Sequence, residues 1–173
     1  QAMSHYLSIV KECLEIGVSV RCHLEDITRA DIYGYVIPFC LELMKLRQQY
    51  GIPVKVRCCD TMGYGVNYPG AVIPRSVQGI IYALHTNASV PHANLEWHGH
   101  NDFYKAVSNS TTAWLYGCSG VNTSLFGIGE RTGNTPLEAM VFEYAQLRGN
   151  LNGMDTTVIT ELAEYYEKEI GYH

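Results

Sequence analysis

Two histidines one residue apart, His98 and His100, close an apolar stretch, and residues two apart on a β-strand point to the same side. Their imidazoles can converge on one point while Gly99 faces away. Such a pair suits a divalent metal and leaves positions open for oxygen from a carboxylate, an amide such as Asn134, water or substrate. Two histidines satisfied by hydrogen bonds at a strand end are the plainer alternative. A second feature is GIGERTGN, residues 127–134. Its glycines set Glu130, Arg131 and Asn134 on a tight loop ahead of a helix, an arrangement that attracts anions. It lacks the GK[ST] ending of a phosphate-binding loop and does not follow GxGxxG. Two more polar clusters stand at Arg21–Arg29, with His23, Glu25 and Asp26, and at Asp60–Gly65, with Thr61. Any one cluster is readable as helix capping, since Asp26, Asp102 and Thr135 each precede a helical stretch. Four at equivalent positions point to one shared site.

The elements that must carry these clusters alternate along the chain. Tyr6, Ile9, Val10, Cys13 and Leu14 have helical spacing and stop at Gly17, and Val18 to Leu24 then reads as a short buried strand. A helix is expected from Ile32 to Leu46, ragged at its start because Pro38 lacks an amide proton, then a strand from Val54 to Cys59. The pattern continues with helix 75–84, strand 94–98, helix 103–116 and strand 121–126. Thr135, Pro136 and Glu138 read as a capping box for a helix ending at Gly149, and Asp155 as the cap of a last helix over 156–170. Strands about one βα unit apart imply right-handed crossovers and a parallel sheet, with ligands at the C-terminal strand ends.

Composition narrows the class. The chain has 173 residues, 47% apolar and 17% charged, and its 12 Lys and Arg against 17 Asp and Glu give a net charge of −5. These values fit a cored domain with small-molecule ligands, and with neither nucleic acid nor membrane as partner. With no signal-like start, a cytoplasmic origin is expected. The six cysteines show no CxxC spacing and are expected to be reduced, with Cys58 and Cys59 facing opposite sides of a strand.

VRCHLEDITRAD, CCDTMGYG, LEWHGHNDFYKAVSNS and GIGERTGNTPLE, in this order, resemble the second half of the DRE-type metal-dependent TIM barrels. That family condenses acetyl-CoA with 2-oxo acids and includes isopropylmalate, homocitrate, citramalate and Re-type citrate synthases, with HMG-CoA lyases more distant. TRADIYGYVIPF, DTMGYGVNYPGA and EWHGHNDFYKA look most similar to the Re-type citrate synthases. The resemblance implies a (β/α)8 barrel of which this chain supplies strands 5–8, over residues 1–150, with 151–173 beginning a C-terminal region. It implies His98, His100 and Asn134 as metal ligands, Thr61 and Arg29 at the substrate, and Glu25 and Glu130 as catalytic groups. It further implies a divalent metal, Mn²⁺ ahead of Mg²⁺, Co²⁺ or Zn²⁺, acetyl-CoA as co-substrate, and a homodimer of the full-length protein. Oxaloacetate, giving citrate and CoA, is the expected acceptor. Lyase-type cleavage and a non-catalytic half-barrel subunit are the alternatives. Because such a barrel takes about 250 residues, a length of 173 is expected of a part of one.

Overall fold

Short apolar runs become strands, and the helically periodic stretches behind them become the crossovers that let those strands pair in parallel. The computed structural model describes residues 2–171. It contains α1 (Ala2–Glu15), β1 (Val20–Leu24), α2 (Ile37–Tyr50), β2 (Val54–Asp60), α3 (Val77–Asn87), β3 (Leu95–Gly99), α4 (Ala106–Leu115), β4 (Gly120–Val121), α5 (Leu137–Arg148) and α6 (Val158–Tyr165). One parallel sheet runs in the order β1-β2-β3-β4, with Val20 opposite Val54, Val56 opposite Leu95 and Glu96 opposite Gly120. Sequential order with a helical crossover at each step is the repeat of a (β/α)8 barrel.

The two faces of this sheet differ in kind. Cys22, Val54, Val56, Cys58, Leu95 and Trp97 pack in one cluster with Leu14 of α1, Leu43 of α2, Ile80 and Leu84 of α3 and Ala113 of α4. Burying apolar side chains of this size contributes about 1.5–3 kcal/mol each for the larger ones. All six cysteines are free thiols, five of them buried, as expected of a reduced core. The opposite face begins with an ionic cluster. Glu96 accepts hydrogen bonds from Arg21 Nε (2.7 Å), Lys55 Nζ (2.9 Å) and Arg57 Nη2 (3.0 Å), so one carboxylate links β1, β2 and β3.

Three expectations need correction. The fourth strand spans only Gly120–Val121 rather than 121–126, because the backbone leaves the sheet: the Ser124 amide donates to the Thr135 carbonyl, and Phe126 adopts φ +55°. Thr135 and Glu138 form no capping box. Thr135 Oγ1 meets Ser110 Oγ at 3.0 Å, Glu138 accepts from the Phe126 amide at 3.1 Å, and Pro136 stands just before α5 rather than inside it. The last helix begins at Val158 and continues as a wider turn over Tyr166–Ile170; its cap position is Thr157 rather than Asp155, which accepts from the Thr157 amide one step before the helix. The start of the second helix is ragged in the expected way, a wide turn over Ile32–Val36 leading into α2 with Pro38 at its start. Residues 172–173 of the expected C-terminal region lie outside the described residues.

Burial alone would raise the Glu96 pKa from its ordinary value of 4.5, but the hydrogen bonds from Arg21, Lys55 and Arg57 prevail and hold it at about 2. A depressed carboxylate stabilises the fold fully above its unfolded pKa and loses that effect as pH falls through the folded one. Glu96→Gln is therefore expected to cost about 3 kcal/mol at neutral pH. The difference from the unsubstituted protein should shrink between pH 4.5 and about 2, as read by denaturant titrations across that range.

Candidate active site

Two residues beyond Arg21, Arg57 and Glu96 come His23, Cys59 and His98, and two further on come Glu25, Thr61 and His100. Period-two alternation stacks these residues in layers above the ionic cluster, the last lying at or just beyond the C-terminal strand ends. His98 Nε2 and His100 Nε2 are 3.3 Å apart, with the rings at 83°. Metal–ligand bonds of about 2.1 Å set adjacent donors roughly 3.0–3.4 Å apart, so the two nitrogens already have a chelating separation. Burial, then the neighbouring His100, lowers the His98 pKa and favours the neutral ring whose lone pair a metal needs. Asn134 faces His100 across an isolated antiparallel bridge. Its amide occupies the space at Gly129, where a Cβ would overlap Oδ1, and at Gly133, φ +99°, a Cβ would overlap the Gly127 carbonyl. The glycines of this loop are thus required by close approach.

Glu25 and Thr61 are also brought together. Thr61 Oγ1 donates to Glu25 Oε2 at 2.7 Å and accepts from the Asp26 amide at 2.8 Å. Arg29 lies further out, its Nε 2.9 Å from the Asp26 carboxylate and its guanidinium 5.7 Å from the Tyr64 ring centroid. Glu130 is peripheral: its side chain is 80% exposed, 3.8 Å from Arg131 Nη1. The capping alternative fails for the three residues that suggested it. Asp26 makes no cap bond, Asp102 pairs with Arg131, and Thr135 bonds to Ser110. The loops are capped instead by Asp31 on the Gly34 amide, Ser76 on the Gly79 amide and Asn101 on the Ala106 amide.

The sequence placed Arg131 on the glycine loop without showing that it ties the loops together. Arg131 Nε and Nη2 reach Asp102 at 2.8 and 3.1 Å, and Nη2 also donates to the Thr61 carbonyl at 2.6 Å. One side chain at φ +56° thereby joins the loops after β2, β3 and β4. Asp60, named above only as the first residue of its cluster, has a structural role. It is buried and holds Thr28 Oγ1 at 2.8 Å and the Gly65 amide at 2.9 Å; burial raises its pKa against those bonds. Strand alternation could not mark it as part of the polar face, because it sets Asp60 with Cys58 on the helix side of β2, opposite His23 and Cys59.

The family model described as HMGL-like matches residues 1–165. The chain belongs to the HMGL-like family. It is 61% identical over 172 residues to a citrate (Re)-synthase of Clostridium kluyveri, covering 99% of this chain and 38% of that protein. A citrate (Re)-synthase of Syntrophus aciditrophicus is 59% identical, with 99% and 27% covered. Among solved structures, a hydroxymethylglutaryl-CoA lyase from Pseudomonas aeruginosa superposes with a TM-score of 0.70 at 21% identity, covering 99% of this chain and 56% of that one. The sheet is thus part of the HMGL-like TIM barrel. The chain spans well under half the length of the two synthases it matches.

Arg131→Ala is expected to lower stability and to speed amide hydrogen exchange in residues 127–134, as read by exchange mass spectrometry. Arg131→Lys should recover only part of the loss, because an ammonium cannot hold Asp102 through two nitrogens and the Thr61 carbonyl together.

Proposed function

We propose that residues 1–150 are the metal-holding C-terminal half of a (β/α)8 acyltransferase barrel and that 151–173 begin a C-terminal region. The whole enzyme condenses acetyl-CoA with a 2-oxo acid, oxaloacetate above others, and water then hydrolyses the resulting thioester to give citrate and free CoA. The observation that carries this is the identity of 61% and 59% to two citrate (Re)-synthases across 99% of the chain. Their names state a product and a class of reaction, and the layered polar face supports both.

His98, His100 and Asn134 would hold a divalent ion, with Mn²⁺ preferred to Mg²⁺, Co²⁺ or Zn²⁺; bound there, it would polarise the ketone of the oxo acid. Thr61, oriented by the Asp26 amide, holds the acid's carboxylate by turning its one hydroxyl proton from Glu25 to the substrate. Glu25, 2.7 Å from that hydroxyl, takes a proton from the acetyl methyl, and the electron pair left on carbon attacks the ketone carbon. Arg29 contributes through Asp26, whose amide fixes Thr61, and Glu130 through Arg131, which secures the loop bearing Asn134. The protein works in the cytoplasm as a homodimer on small molecules, without nucleic-acid or membrane partners. Among the described residues no helix is long and apolar enough to cross a membrane.

The test assays the whole protein carrying this chain with Mn²⁺ and a panel of 2-oxo acids. Free CoA should appear from acetyl-CoA only with an oxo acid present, fastest with oxaloacetate, and no release across the panel rejects the proposal. Glu25→Gln should lower kcat by about 10²–10⁴-fold. His98→Ala should abolish Mn²⁺ binding while leaving the circular dichroism unchanged; normal metal stoichiometry in that variant would show the ligand set to be wrong.

A further inference from the structure

Beside the histidine pair lies a donor set of a different kind. His23, Glu25 and Cys59 offer an imidazole, a carboxylate and a thiol whose ligand atoms all lie within 4.8 Å of one another. His23 Nδ1 is 4.0 Å from Glu25 Oε1. Zinc bonds of about 2.0–2.3 Å put tetrahedral donors roughly 3.4–3.6 Å apart, so the three need to draw in by about 1 Å. Two of them are free to do so: the side chains of His23 and Glu25 are 45% and 62% exposed. Cys59 is the fixed member, buried on β2 with its sulfur 3.7 Å from the Arg57 carbonyl. Glu25 turns Oε1 towards His23 while Oε2 is held by Thr61, so one oxygen can ligate without breaking the Thr61 bond.

From these contacts the geometry points to a second cation site, built by His23, Glu25 and Cys59, that takes a thiophilic divalent ion such as Zn²⁺ or Cd²⁺. Imidazole, carboxylate and thiolate are all zinc ligands, and three protein donors leave a fourth position for water. Sulfur disfavours Mg²⁺ and Mn²⁺, which suit the oxygen-completed coordination at His98 and His100. Binding expels the Cys59 thiol proton to solvent, and the ion's charge supports the thiolate that burial opposes. One consequence rests on the proposed function: an ion here removes Glu25 from proton transfer, so soft metals inhibit where Mn²⁺ activates. The existence of the site does not depend on that activity.

The whole protein, first given one equivalent of Mn²⁺, is titrated with Co²⁺ and separately with Cd²⁺. A further equivalent should bind with thiolate-to-metal charge-transfer absorption. That absorption should persist in His98→Ala and vanish in Cys59→Ser and in His23→Asn, with affinity reduced at least about tenfold. If Cys59→Ser does not fold, the exposed His23→Asn carries the same decision. No charge-transfer absorption, its survival in both Cys59→Ser and His23→Asn, or its loss in His98→Ala would each overturn the site, whether or not the protein makes citrate.

Discussion

Glu96 is the carboxylate on which the functional face depends. It sits buried on a sheet face that would otherwise collect Arg21, Lys55 and Arg57 with nothing to balance them. Removing one partner from a buried ionic group leaves an uncompensated charge, so this cluster enforces one alignment of three strands. Parallel strands have no hairpin to fix their offset, and here the buried apolar pattern and the ionic cluster do so jointly. Everything above it inherits that alignment. His98 lies opposite Cys59, and Glu25 reaches Thr61, because the layer beneath is locked.

Much of the fold was legible in the sequence because it rests on local periodicity. The alternation at Val54, Val56 and Cys58, the helical spacing of Ile80, Ile81 and Leu84, and the glycine ends at Gly17, Gly51 and Gly149 state strand, helix and stop within a few residues. The convergence of His98 and His100 followed from the same rule, since two residues apart on a strand is a statement about direction.

Other parts depend on partners far along the chain. Thr135 looks like a cap in its own heptapeptide, yet Ser110 and the Ala106 carbonyl, on another helix, claim its hydroxyl. The fourth strand stops early because residues 134–137 compete for the backbone of 122–126, which no local propensity records. Arg131 was legible only as a residue of the glycine loop; its bidentate partner Asp102 lies 29 residues away, and that pairing is stronger than the exposed contact with Glu130 at 3.8 Å. His23 and Cys59 were visible as residue types, and only the register between β1 and β2 made them a group.

The layering has a consequence for how such a site can change over generations. Between the ionic cluster and the strand ends lies a single intermediate level, His23, Cys59 and His98, one side chain per strand. A substitution there alters the chemistry of the cavity while the alignment below and the loop clamp above stay as they are. A single inserted or deleted residue within β2 would instead turn Cys59 and Thr61 toward the helices and bring Cys58 and Asp60 into the cavity. Variation in what the site accepts is therefore open to exchange of side chains at one level and closed to changes of strand length.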